Sequence, residues 1–88
     1  MDLDAVPARN PSAVFRIYDG EATVVLPDRA EVNVLNETGT LVWQQIDGRR
    51  SLREIVRVVV EEYGVAPEQA EQDVLELIGS LREHQMVS

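Results

Sequence analysis

The hydrophobic positions of this chain alternate with a period of about two in its first third and with a helical period in the remainder. The alternation over 13–18 and the β-branched, apolar run over 22–26 predict two strands. Asp19-Gly20 lies between them and is typical of a tight hairpin turn, because both residues tolerate positive φ. A third strand is predicted over Glu31–Leu35, so the three strands should form an antiparallel meander.

Three helices are predicted after the strands, each with a recognisable start. The start signals are the N-cap Asn36, the capping box of Ser51 with Glu54, and Pro67 in the first turn of the last helix. The helices should end near residues 45, 64 and 84, where Gly64 supplies a C-terminal cap. The sequence therefore predicts an α+β fold, a small winged helix-turn-helix-like domain with a three-stranded antiparallel sheet followed by three helices.

The helical period also predicts the core. Apolar side chains that share one side of each helix are Leu35, Leu41, Val42, Ile46, Leu52, Ile55, Val56, Val59, Tyr63, Ala70, Val74, Leu77, Ile78 and Leu81. Trp43 is predicted at the core or its border, and 86–87 can fold back onto it. Residues 1–12 contain two prolines and few apolar residues, which favours a flexible N-terminal arm or an irregular lead-in before a domain over 13–88.

Composition excludes several classes of protein. Sixteen acidic residues against eight arginines give a net charge of −8, which repels nucleic acid phosphates over most of the surface. Without cysteine, the chain has no disulfide or thiolate metal site. No apolar run reaches the roughly 18 residues of a membrane span, and the acidic N-terminus lacks the features of a signal peptide. We therefore expect a cytoplasmic protein.

Candidate catalytic and metal-binding residues are few. His84 is the lone histidine, and its position near a helix C-terminus is favourable with the helix dipole. Ser51 is explained by its capping role rather than as a nucleophile. Because no ligands cluster and no nucleophile lies near a base, we expect no enzyme activity, no cofactor and no metal. The basic cluster is Arg49, Arg50, Arg53 and Arg57, which could contact an acidic partner or pair with the surplus acids of the chain.

From Leu35 onward the chain resembles the PqqD family of precursor-peptide recognition elements in ribosomal peptide biosynthesis. The resemblance rests on ordered features: Leu35-Asn36-Glu37-Thr38, Trp43, Asp47-Gly48, Ser51, Glu54-Ile55, Tyr63-Gly64-Val65, Asp73-Val74 and Leu81. It spans roughly 24–87. Members of this family have a small winged helix-turn-helix-like fold, bind the leader segment of a precursor peptide and present it to a modifying enzyme.

The resemblance implies that a leader peptide adds as a strand beside the third strand, in a groove against the third helix. The meander itself leaves that strand at an edge, with unpaired amides and carbonyls, unless something covers it. The residues predicted to bind the peptide are Glu31, Val32, Asn33, Val34 and Leu35 of the strand, and Glu71, Leu75, Ile78 and Arg82 of the helix. The expected partners are a precursor peptide leader and a modifying enzyme, either a radical SAM enzyme or a lasso-type peptidase and cyclase.

Two other functions are compatible with the element order. A winged-helix DNA-binding domain has similar helices, although the net charge of −8 and the absence of lysine oppose it. A structural dimer could instead form through the edge strand, so both a monomer and an edge-strand dimer stay open.

Overall fold

The three predicted strands form one antiparallel sheet in the order β1-β2-β3. In the computed structural model, which describes residues 2–88, β1 is Val14–Tyr18, β2 is Glu21–Leu26 and β3 is Glu31–Val34. The first turn takes φ of 52° at Asp19 and 80° at Gly20, the left-handed pair that a two-residue hairpin requires. The meander prediction is confirmed, with strand bounds that differ by one residue.

A short 3-10 helix, Pro27–Arg29, occupies the second connection, where the sequence indicated only a turn. Ala30 follows it with φ 52°, a left-handed conformation that costs an alanine about 1–2 kcal/mol. The connection therefore reverses the chain within a few residues and starts β3 beside β2.

The three helices begin and end close to where the caps predicted. They are α1 Glu37–Gln45, α2 Leu52–Tyr63 and α3 Pro67–Glu83. Asn36 Oδ1 accepts from the Gly39 amide at 2.8 Å, and the box between Ser51 and Glu54 has both of its bonds. Gly64 ends α2 with φ 65°. The α+β order of a three-stranded sheet followed by three helices is confirmed.

The core lies between the inner face of the sheet and the helices. Its buried side chains are Ala22, Val24, Leu26, Leu35, Val42, Trp43, Ile46, Leu52, Ile55, Val59, Ala70, Val74, Ile78, Leu81, Met86 and Val87. The predicted return of Met86 and Val87 is thus confirmed. Tyr63 was wrongly assigned to the core: it is the last residue of α2 and is 41% exposed. Leu77 is only partly buried.

The stretch 2–12 forms no helix and no strand, but its backbone is bonded to the rest of the domain. The carbonyls of Leu3 and Ala5 each accept, at 2.9 Å, from one of the first two amides of α2, which lack partners within the helix. Further along, Arg9 forms an isolated antiparallel bridge with Val87. The arm therefore caps α2 and covers the C-terminal segment, while its mobility stays a prediction.

Candidate functional site

The β3 strand is an edge of the sheet, and one hydrogen bond fixes which of its backbone groups are free. Leu35 continues the β2–β3 register opposite Ala22, and its N–H donates to the Ala22 carbonyl at 2.8 Å. Bonded and non-bonded pairs alternate along an antiparallel ladder. Glu31, Asn33 and Leu35 therefore direct their N–H and C=O groups toward β2, whereas those of Val32 and Val34 point outward.

Thr40 completes this end of the ladder from α1. Its hydroxyl accepts from the Ala22 amide at 2.7 Å and lies 3.3 Å from the Leu35 carbonyl, to which it donates. The residue is buried, so these bonds satisfy backbone groups that water does not reach. Thr40 therefore ties α1 to the end of the edge strand and helps to hold that strand in register.

The side chains of β3 follow the same alternation. Val32 and Val34 are each 62% exposed. They pair with Val25 and Thr23 on the face of the sheet opposite the core. Asn33 lies on the inner face and is half-buried. A peptide that pairs with Val32 and Val34 would meet an outer apolar face and an inner half-buried one.

One flank of α3 runs beside β3. The His84 Nδ1 lies 3.3 Å from Glu31 Oε1, which joins the end of α3 to the start of β3. Near the other end of β3, Leu77 Cδ2 lies 3.6 Å from the position that a Cβ on Gly39 would occupy, and the Leu35 Cβ is 3.2 Å from that position. Leu77 and His84 are seven residues apart and share one side of the helix. This side and β3 define the β3–α3 groove.

A cavity of about 430 Å³ lies where the groove meets the start of α1. It is lined by Asn36, Thr38, Gly39, Asp73, Glu76 and Leu77. Within the described residues, Glu31 Oε2 at the other end of the groove is buried without a hydrogen-bond partner. The groove therefore combines one apolar wall position, Leu77, with carboxylates at both ends.

The structure divides the predicted helix residues between two sides. Glu71, Leu75 and Arg82 share the flank of α3 opposite Leu77 and His84 by helical phase, and the Arg82 Nε donates instead to the Ser88 backbone oxygen at 2.7 Å. Ile78 is 0% exposed and belongs to the core. The peptide-binding roles of these four residues stay predictions that their placement does not support.

The strand residues are placed differently. Asn33 lies on the inner side of the strand and faces the groove, whereas Val32 and Val34 lie at its outer rim. Glu31 lies at the end of the groove, beside His84. Leu35 is 4% exposed and its N–H donates to Ala22 within the sheet, so it packs in the core below the strand and does not face a bound peptide. Sequence reasoning missed Leu77 and His84 as groove residues. The only signal for them was helical phase, which leaves two equivalent flanks.

Charged groups elsewhere have structural explanations. The Arg50–Asp47 and Arg53–Asp4 ion pairs, at 3.3 and 3.2 Å, show that part of the basic cluster pairs within the chain. The backbone amides of Arg50 and Arg49 lower the pKa of Asp47, and hydrogen bonds from Ser51 lower that of Glu54.

The described residues contain neither a metal-ligand cluster nor a membrane-spanning helix. Over 2–88, no group of three or more His, Cys, Asp or Glu side chains is arranged to hold a metal ion. No helix in that range is long and apolar enough to cross a membrane.

Comparison with known proteins places this geometry in a family. The profile of Coenzyme PQQ synthesis protein D (PqqD) matches residues 21–87. No curated protein sequence matches the chain. A lasso peptide synthetase B1 complexed with its leader peptide has a TM-score of 0.85 at 25% identity, over 96% of this chain and 99% of that chain.

Two further solved structures share the fold at lower identity. TbiB1 in complex with the TbiA(beta) leader peptide has a TM-score of 0.85 at 18% identity, over 92% of this chain and 94% of that chain. The PqqD truncation of Methylobacterium extorquens PqqCD, a stand-alone RiPP recognition element, has a TM-score of 0.81 at 18% identity, over 99% and 93%. Since the profile covers most of the sequence, from β2 to the buried C-terminal segment, this chain belongs to the PqqD family.

Proposed function

We propose that this protein is a non-catalytic module that binds the leader segment of a ribosomally synthesised precursor peptide by β-strand addition. The observation that carries the proposal is the outward-facing backbone of Val32 and Val34 on an edge strand, beside a groove formed with α3. The solved structures of two structurally similar proteins, TbiB1 and a lasso peptide synthetase B1, each contain a bound leader peptide. Their similarity supports leader binding by this chain.

Backbone pairing alone gives a weak complex. Each outward residue offers one N–H and one C=O, so Val32 and Val34 supply up to four hydrogen bonds. At about 0.5–1.5 kcal/mol each, these contribute about 2–6 kcal/mol. Association costs about 4–15 kcal/mol in lost freedom. Side-chain packing must therefore supply the affinity, on Val32 and Val34 at the outer face and on Leu77 in the groove.

The module would present the bound peptide to a modifying enzyme, either a radical SAM enzyme or a lasso-type peptidase and cyclase. Its own contribution is binding and orientation, without a catalytic group, metal or cofactor. A short added strand holds one segment of the peptide, while the segment to be modified stays free to reach the active site of the partner.

An N-methyl scan of the peptide tests strand addition directly. The precursor leader encoded beside the gene is synthesised with one methylated backbone amide at a time, and binding is measured by fluorescence anisotropy. Methylation should weaken binding at alternate positions only, because alternate amides face β3. If methylation weakens binding at every position, or at no position within the binding segment, the peptide does not pair with the edge of β3. If the unmethylated leader does not bind the protein, the leader encoded beside the gene is not its ligand.

A further inference from the structure

The side of the sheet that faces away from the core is an uncovered apolar surface. Val14 of β1 lies opposite Val25 of β2, which lies opposite Val32 of β3, so three valines form one row across the sheet. Val14 is 56% exposed and Val32 is 62% exposed, because the helices pack on the other side of the sheet. Together with Val34 and Tyr18, these valines define the outer sheet face.

Tyr18 lies at the hairpin end of this face, and it is 81% exposed. A tyrosine so exposed contributes little to the core, whereas tyrosine is enriched at the centres of protein interfaces. A concave patch of about 340 Å³ adjoins it, lined by Val14, Phe15, Arg16, Tyr18, Thr23 and Val25. The face therefore combines a shallow depression with an aromatic side chain, and both can anchor side chains of a partner protein.

Exposed apolar residues are concentrated on this face. Within residues 2–88, four of the seven large hydrophobic side chains that are exposed belong to it. Arg16 and Glu21 are the two charged side chains that the strand register places there, so the face is nearly neutral on a chain of net charge −8. A contiguous apolar patch with few charges is typical of a protein-binding surface. Its occupant should therefore be an apolar patch of another protein.

The outer sheet face is too small to hold a second copy of the chain by itself. Strands lie about 4.8 Å apart and rise about 3.4 Å per residue, so three strands of about five residues cover roughly 14 by 17 Å. A stable complex takes about 800 Å² of surface from each partner. Two copies would also repel each other, since each carries a net charge of −8. A partner that is already tethered nearby needs less area, because its docking is then intramolecular.

A bound precursor peptide tethers such a partner. Leader residues directly opposite Val32 and Val34 direct their side chains to the same side of the sheet, so they widen the outer sheet face by a fourth strand. We propose that the widened face docks an apolar patch of the modifying enzyme that holds the other end of the same peptide. The inference rests on the proposed function, because the peptide links the two proteins. The enzyme and the β3–α3 groove lie on opposite sides of the sheet and do not compete.

A binding assay with matched double variants tests this docking face. The enzyme encoded beside the gene is immobilised, and its Kd for the protein is measured by interferometry with and without saturating precursor peptide. Val14→Thr/Tyr18→Ser removes apolar surface from exposed positions of β1, which β2 separates from the leader. The Kd for the labelled leader, measured by anisotropy without the enzyme, should stay within about twofold. The Kd of the peptide-loaded protein for the enzyme should rise about tenfold or more.

Val6→Thr/Tyr63→Ser is the control, because it makes the same substitutions at residues that are 47% and 41% exposed and lie outside the sheet. It should change neither Kd. Wild-type affinity of Val14→Thr/Tyr18→Ser for the enzyme, or equal affinity of the loaded and the empty protein, would overturn the proposal. A weakened leader Kd in that variant would assign the face to the peptide, and a dimer mass that only this variant loses would assign it to a second copy. Failure of the proposed function is seen separately, as a leader that does not bind wild type in the absence of the enzyme, and it would refute both.

Discussion

Two proline substitutions in β3 can separate the fold from the proposed docking edge. Asn33 and Val24 form a bonded pair of the ladder, so Asn33→Pro removes a donor to β2 and leaves the Val24 carbonyl without its partner. An unsatisfied buried carbonyl costs about 1–3 kcal/mol, to which the clash of the ring with β2 adds. A small domain has a margin of only about 5–15 kcal/mol, so Asn33→Pro should be strongly destabilised or unfolded.

Val34→Pro should behave in the opposite way. The lost N–H points outward, and the side chain it replaces is 62% exposed, so little packing is removed. One lost hydrogen bond to the peptide is worth about 0.5–1.5 kcal/mol, or about 2–13-fold in Kd. The proline ring also occupies the space where a peptide carbonyl would approach. We therefore expect a folded protein whose leader affinity falls by more than about tenfold.

The measurements need one folding reporter and one binding reporter. Trp43 is the single tryptophan and is 0% exposed, so its emission follows unfolding in urea, and anisotropy of a labelled leader follows binding. Val34→Thr keeps the amide and the branched shape and loses only one methyl group, so it should bind the leader much more tightly than Val34→Pro does. Leader binding by Val34→Pro at wild-type affinity would refute the assignment of the β3 edge.

The other edge of the sheet supplies a second control. Residues of β2 that face β3 alternate with those that face β1, so the β1 residues with outward backbone groups are Phe15 and Ile17. Ile17→Pro should preserve leader binding. If it abolishes binding while Val34→Pro does not, the peptide adds to β1 instead.

Three further predictions concern the groove and its supports. Leu77→Glu should weaken leader binding more than about tenfold, as measured by anisotropy. Leu75→Glu, on the opposite flank and also partly buried, should leave the Kd of the folded protein unchanged. The reverse result would favour Leu75 as the groove residue, as the sequence predicted. Thr40→Val should lower the free energy of unfolding by about 1–3 kcal/mol for each backbone group left unsatisfied. Thr40→Ser keeps the hydroxyl and should lose less stability. Equal losses of stability in urea titrations of the two variants would show that side-chain packing dominates. Because hydrogen bonds from Ser51 lower the pKa of Glu54, its carboxylate stabilises the fold fully above its ordinary pKa, and this contribution is lost as pH falls through the depressed value. The advantage of wild type over Glu54→Gln in urea midpoint should therefore narrow from pH 7 to pH 3, and a constant difference would contradict the capping role.

Local chemistry explains why so much of the fold could be predicted. Asp19-Gly20, Asn36 and Gly64 each determine the start or end of an element through groups within a few residues, so sequence alone suffices. The assignment of Tyr63 to the core was wrong because helical phase does not show where the surface that covers a helix ends. The outward parity of β3 also could not be predicted, because it depends on a bond between residues far apart in sequence.

The candidate site was predicted in outline and misplaced in detail. Helical phase identified two flanks of α3, but only tertiary contacts, those of His84 with Glu31 and of Leu77 near Gly39 and Leu35, show which flank meets β3. The composition of 2–12 indicated an irregular segment and gave no sign of its bonds to α2 and the C-terminal segment. Amide hydrogen exchange over the arm would decide whether these bonds keep it ordered in solution.

The bridge between Arg9 and Val87 has a consequence for engineering. Because Ala8 and Ser88 exchange hydrogen bonds, a linker of a few residues can connect these two positions, and new termini can be opened at an exposed turn such as Asp19-Gly20. Such a permutant would lack 2–7, and with them the Leu3 and Ala5 carbonyls that accept from α2. By the same geometry, the segment 8–88 can be inserted into a surface loop of a host protein, because its first and last residues are hydrogen-bonded to each other. A circular permutant or an inserted copy would keep β3 and α3 intact, so the module could be transplanted without rebuilding its groove.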